Sequence, residues 1–105
     1  MTKEEIKQFV DEKGTGIVLF YSERCNVCEM QRTLLTRAIP NSYIEVCCDS
    51  DPEWFIQNMN VDLIPVTRIY EDGNIVWEKI NLPEPEDVEM LIEYSSTKSW
   101  WVCKH

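Results

Sequence analysis

The chain has 105 residues, 44% of them hydrophobic, with 19 acidic against 10 basic side chains and a formal net charge of −9. That size fits one domain with a real core, and the acid excess argues against general nucleic-acid binding or docking on anionic membranes, both of which need clustered Lys and Arg. No apolar run approaches the roughly 20 residues that cross a bilayer.

In chain order, Thr2 to Lys13 reads as a helix: Thr2 with Glu5 makes a capping box, and Ile6, Phe9 and Val10 recur at helical spacing. Gly14-Thr15-Gly16 ends it. Ile17-Val18-Leu19-Phe20-Tyr21 is a continuous β-rich apolar run, the pattern of a strand buried on both faces. The turn Ser22-Glu23-Arg24-Cys25 leads into a helix that Pro40 stops, with Val27, Met30, Leu34, Leu35 and Ala38 as the expected inward stripe. Tyr43 to Cys47 predicts a second strand. Asp51-Pro52-Glu53 is a helix start, with a capping acid and proline at the first helical position, for a helix from Pro52 to about Met59. Asp72-Gly73 marks a hairpin between Val66–Tyr70 and Asn74–Lys79. A last helix follows, from about Glu86 to Tyr94, with Val88, Leu91 and Ile92 facing inward. This order predicts an α/β fold, a four-stranded mixed sheet covered by helices on both faces, with a right-handed first crossover.

Five cysteines, Cys25, Cys28, Cys47, Cys48 and Cys103, need an explanation. The N-terminus is polar and helix-like rather than a signal peptide, so the expected compartment is cytoplasmic and reducing, where cysteine pairs serve redox chemistry or metal binding more often than stapling. Cys25-Asn26-Val27-Cys28 falls where a buried strand hands over to a helix. Unsatisfied N–H groups and partial positive charge at a helix start stabilise a thiolate. On that reading Cys25 is the exposed nucleophile and Cys28 the buried resolving thiol. The alternatives are a zinc half-site and two unrelated core cysteines. A C-x-x-C directly after a buried strand in a βαβ unit favours redox chemistry.

The stretch from Ile17 to Cys28 resembles the strand and active-site loop of thioredoxin. Asp49-Ser50-Asp51-Pro52 is similar to the segment entering that family's third helix, and Asn60-Val61-Asp62-Leu63-Ile64-Pro65-Val66 to the loop ending in its cis-proline. The likeness runs from about residue 4 to residue 95, leaving residues 96–105 as a C-terminal tail. It implies a thioredoxin-like fold without the family's first strand and dithiol–disulfide exchange through Cys25 and Cys28, with no cofactor. It further implies a cis Pro65 facing Cys25 and Ile64 offering backbone to an extended substrate. Implied partners are a thioredoxin reductase or glutathione as electron donor and disulfide-containing proteins as substrates, ribonucleotide reductase among them. Arg24 stands where thioredoxins carry tryptophan and would favour the Cys25 thiolate while contacting substrate. Asn26-Val27 replaces Gly-Pro, Leu19 the buried aspartate, and Glu45 a strand lysine. Four strands are closer to a glutaredoxin, whose Cys-Pro-Tyr-Cys motif is also missing.

Glu45 shares a strand face with Cys47; it is either a solvated edge carboxylate or, if aimed at Cys28, a substitute proton acceptor. Adjacent Cys47 and Cys48 should point to opposite sheet faces as buried small side chains. The rival readings are a zinc or iron–sulfur site joining them to Cys25 and Cys28, and a non-catalytic binding module on the same scaffold. In the tail, Trp100 and Trp101 fit folding back onto the domain or a docking peptide, Cys103 a third redox thiol. His105, the only histidine, is a poor candidate for a base.

Overall fold

The computed structural model describes residues 1–97. Its elements are α1 (Lys3–Asp11), β1 (Gly16–Tyr21), α2 (Asn26–Ala38), β2 (Ile44–Cys47), α3 (Pro52–Met59), β3 (Val66–Glu71), β4 (Asn74–Ile80) and α4 (Pro85–Thr97). The local signals act as their chemistry dictates. Thr2 and Glu5 form the reciprocal capping box on α1. Asp51 caps α3, taking the Trp54 N–H at 3.3 Å, and its other oxygen holds Lys3 Nζ of α1 at 2.7 Å. Asp72 and Gly73 both adopt positive φ, 54° and 82°, the geometry of a tight hairpin turn. At Gly73 a side chain would meet Val10 O at 2.5 Å, so only glycine lets the hairpin close against α1.

The sheet order is β2-β1-β3-β4, with β1 parallel to β2 and antiparallel to β3, and β3 antiparallel to β4. β1 is therefore central and buried along its whole length. Alternation along the strands sends Val18, Phe20, Val46, Val66 and Tyr70 to a core under α1 and α3. Ile17, Leu19, Tyr21 and Ile69 go to the other face, where Cys28, Leu35 and Ile39 close the core together with Leu91 of α4. Trp100, Trp101, Cys103 and His105, for which sequence suggested a docking or redox tail, lie outside the described residues.

Three details differ from the sequence expectation. The inward row of α2 is Cys28–Gln31–Leu35, while Met30 is exposed and Val27, Leu34 and Ala38 only flank the core. Packing of Cys28 against the sheet sets the rotation of the helix, and the row three and seven residues on must follow it inward. On α4 only Leu91 is fully buried; Ile92 faces solvent, and Met90 and Tyr94 pack at the margin. The helix also runs to Thr97, past the expected end at Tyr94.

Burial of Arg68 was not legible in the sequence at all. Its side chain is 2% exposed, in the core under α3. Nε donates to Glu78 at 2.7 Å, one terminal nitrogen to Met59 O and the Tyr70 hydroxyl, the other to Asn60 O, and the guanidinium lies over the Phe20 ring. A charge is thus spent on the open carbonyls at the C-terminal end of α3, where the helix dipole favours a cation. Arg68→Ala strands those carbonyls and should cost about 3–5 kcal/mol of stability. Glu78→Gln keeps an acceptor for Nε but removes the counter-charge of the buried guanidinium, and should cost less, about 1–3 kcal/mol. Denaturant titration of both variants checks the contrast, which equal losses would contradict.

Candidate active site

Cys25 is the N-cap of α2. Its backbone is extended (φ −112°, ψ 117°), and its sulfur accepts the Cys28 N–H at 3.3 Å. The thiol therefore occupies the place a capping oxygen usually takes, in contact with one of the free N–H groups of the first turn. Cys25 is half-buried and Cys28 fully buried one turn on. Burial pushes the Cys28 thiol up to about 11; the neighbouring Cys25 sulfur adds to this, and a hydrogen bond from the Ser22 backbone partly offsets it. Both thiols are free. One sulfur near the surface on a helix start, backed by a protonated one beneath it, is an arrangement suited to sequential thiol exchange.

The turn that presents Cys25 is fastened from β2. Asp49, just past the end of β2, accepts the Glu23 N–H at 3.0 Å. Hydrogen bonds from the Ser22 side chain and from that N–H hold its carboxyl below the usual carboxylate range, aided by the Cys47 thiol and the charge of Arg24. Arg24 itself is exposed, its N–H bonded to Ser22 Oγ at 3.1 Å. Sequence reasoning placed Asp49 only in a lead-in segment; its role depends on β2 ending beside the turn, which no local pattern announces.

Beneath the dithiol lie Leu19 of β1 and Thr67 of β3, paired in register and both fully buried. Gln31 of α2 is also fully buried and donates Nε2–H to Thr67 Oγ1 at 2.7 Å. Glu45 is the β2 register partner of Leu19 and so sits on the correct sheet face, but at the sheet edge. There it receives Arg32 Nε and a terminal nitrogen at 3.2 Å each, and the Tyr43 hydroxyl. Burial pushes the Glu45 carboxyl up, but the hydrogen bonds from Arg32 and Tyr43 outweigh it and the net shift is downward. The carboxylate is thus engaged as an edge anion whose weakened basicity suits it poorly to take a proton.

Ile64–Pro65 is a cis peptide. Val66 pairs with Phe20, so Pro65 stands beside Tyr21, at the end of β1 from which the cysteine turn departs. Pro65 is buried, whereas Leu63 and Ile64 form an exposed apolar lip, 58% and 37% accessible. Cys47 and Cys48 do fall on opposite sheet faces. Cys48 joins the core under α1 and α3, where burial pushes its thiol up to about 12; Cys47 packs at the margin of the dithiol's core. The four sulfurs therefore do not converge, and among the described residues no three Cys, His, Asp or Glu side chains are grouped to hold a metal ion.

Neither a family model nor a curated protein matches this sequence. The fold does match solved structures. Mitochondrial thioredoxin 3 of Saccharomyces cerevisiae in its oxidised form superposes with a TM-score of 0.65 at 20% identity, over 89% of this chain and 90% of that one. Malassezia sympodialis thioredoxin gives 0.70 at 15% identity over 90% and 86%. Plasmodium falciparum thioredoxin gives 0.67 at 20% over 89% and 92%. The chain has the thioredoxin-like fold.

The two thiols should behave differently. After brief iodoacetamide treatment at neutral pH, mass spectrometry should find Cys25 modified first and Cys28 untouched in the folded protein; fast labelling of Cys28 would contradict its burial. A thiol held above its ordinary value adds stability below that value and loses it as pH rises through the folded one. For Cys28 that window runs from 9.0 to about 11. The reduced protein should therefore weaken across it, and Cys28→Ala should make the decline shallower in a denaturant-midpoint series, the buried Cys48 thiol supplying the remainder.

Proposed function

We propose that this protein is a thiol–disulfide oxidoreductase acting on protein disulfides through Cys25 and Cys28. The observation that carries the reading is the Cys25 sulfur seated on the first turn of α2, 3.3 Å from the Cys28 N–H, with Cys28 buried behind it. The Cys25 thiolate attacks one sulfur of a substrate disulfide, forming a Cys25–substrate bond and releasing the other sulfur as a thiolate that takes up a proton. Cys28 then attacks the Cys25 sulfur, closing the Cys25–Cys28 disulfide and releasing the second substrate thiol. The protein gives up two electrons, which a dithiol reductase or glutathione returns. That donor class, and a reducing compartment such as the cytoplasm, belong to the same reading.

The lip of Leu63 and Ile64 beside buried Pro65 supports a polypeptide substrate, since it offers apolar surface and strand-end backbone at the end of β1 from which the cysteine turn departs. Arg24, exposed at the turn, adds a cation on the approach side.

A disulfide-reduction assay with dithiothreitol or a thioredoxin reductase as electron source tests this. The wild-type chain should accelerate reduction, Cys25→Ser should fall to background, and Cys28→Ser should accumulate mixed disulfides visible by mass spectrometry. If Cys25→Ser matches wild type, the scaffold is a binding module rather than an oxidoreductase.

A further inference from the structure

A groove of about 560 Å³ runs along the outer face of α2, lined by Asn26, Glu29, Met30, Thr33, Leu34 and Arg37. It spans the helix from the residue after Cys25 to the last turn, and the exchange steps above do not use it. Met30 is 58% exposed there. Helix periodicity decides on which flank the apolar wall stands. Arg32 and Thr36 turn to β2, where they meet Glu45 and the Tyr43 hydroxyl. Met30 and Leu34 therefore stand on the opposite flank, the α4 side. α4 covers the same sheet face, with Leu91 in one cluster with Cys28 and Leu35. The two helices also run the same way. α2 leaves the dithiol end, and the chain returns to pair Ile44 with Val18 near the start of β1. α4 starts beside the end of β4, with Asp87 3.5 Å from Lys79. Its Tyr94 hydroxyl donates to Glu71, next to the residue paired with Gly16 at the start of β1. Thr97, the last described residue, thus lies at the same end as Arg37.

Eight residues follow Thr97, from Lys98 to His105. They hold two of the four tryptophans and two of the ten basic side chains, and none of the nineteen acidic ones. Each indole has about 150–250 Å² to bury. An extended chain advances roughly 3.3 Å per residue. Trp100 is therefore about 10 Å of chain from Thr97, the ordinary spacing of neighbouring helix axes. We propose that the segment from Lys98 to His105 docks on the outer face of α2, an indole of Trp100-Trp101 seated against Met30 and Leu34 beside Arg37. A thioether and a guanidinium both favour an aromatic partner. The charges agree as well, because Lys98 and Lys104 meet a domain that carries every acidic residue of the chain, Glu29 in the groove among them. The other exposed apolar groups fit this segment less well. Ile75 pairs with Tyr70 on the sheet face of α1 and α3, in a cleft it shares with Asn58, Asn60 and Asn74. Leu63 and Ile64 stand at the dithiol end, away from Thr97. Docking on α2 covers the outer face of the helix that begins at Cys25, and it does not depend on the oxidoreductase reading.

The test is NMR of the reduced full chain with isotope-labelled methionine methyl groups, of which Met30→Glu identifies the Met30 signal by its loss. Nuclear Overhauser contacts should join the Met30 methyl to the ring of Trp100 or Trp101 and persist on dilution. Trypsin cleavage after Lys98 reads the same docking, since cleavage tracks the population of the opened segment. Met30→Glu should speed it about tenfold while the Met59 and Met90 signals stay in place. Trp100→Ser/Trp101→Ser, which leaves the groove itself unaltered, should speed it equally. Absence of any contact between Met30 and these two indoles overturns the proposal. Contact with Met59 instead overturns it too, by putting the segment in the cleft beside Ile75. A contact that fades on dilution makes a second copy of the chain the occupant, and equal cleavage of wild type and both variants leaves the segment undocked; each of these also overturns it.

Discussion

The site depends on one constraint, the complete burial of β1. That strand pairs with β2 on one side and β3 on the other and is covered by helices on both faces. A strand held this way has no freedom in register or tilt, so its last residue, Tyr21, delivers the chain to a fixed point. From there the Ser22–Arg24 turn reaches Cys25, whose sulfur completes the start of α2. The neighbours of β1 finish the same end of the sheet. β2 supplies Asp49 to fasten the turn, and the entry to β3 sets Pro65 beside Tyr21. The reactive end is thus a consequence of sheet order rather than of any one motif.

Apolar matter dominates beneath the dithiol, and charge has been moved to the margins. Leu19 fills the centre. The nearest carboxylates are committed elsewhere, Asp49 to the backbone of the turn and Glu45 to Arg32 and Tyr43 at the sheet edge. A carboxylate held by an arginine or by backbone N–H groups is a stable anion and a weak base. Burial holds the Cys28 thiol above its ordinary value, and neither of these carboxylates is left free to act as a strong base toward it.

β3 shows how the two faces of the sheet divide the labour. Thr67 and Arg68 are adjacent and, by strand alternation, point to opposite sides. Thr67 meets Gln31 in the layer of the dithiol. Arg68 crosses to the other layer and closes the carbonyl end of α3, with Glu78 as its counter-charge. One polar pair belongs to the reactive layer and one charged cluster to the structural layer, and the sheet between them keeps the guanidinium away from Cys25 and Cys28.

Much of this was legible in the sequence because it depends on local chemistry. The capping box at Thr2 and Glu5, the Asp51-Pro52 helix start, the Asp72-Gly73 turn and the unbroken apolar run of β1 each act within a few residues, and each element formed where its signal lay. The strand-to-helix position of Cys25-Asn26-Val27-Cys28 was likewise readable, as was the split of Cys47 and Cys48 between faces. What the sequence could not reveal were the choices made by packing between distant segments. Met30 looks as fit for the core as any residue of α2, but burying Cys28 against Leu19 turned Gln31 inward instead. Arg68 reads as a surface charge until α3 ends with its carbonyls directed at β3. Glu45 shares a sheet face with the dithiol, yet Arg32, thirteen residues earlier on a helix, decided where its carboxylate went. Periodicity and capping are set by near neighbours, whereas helix rotation, buried charge and partner choice are set by residues that only the tertiary fold brings together.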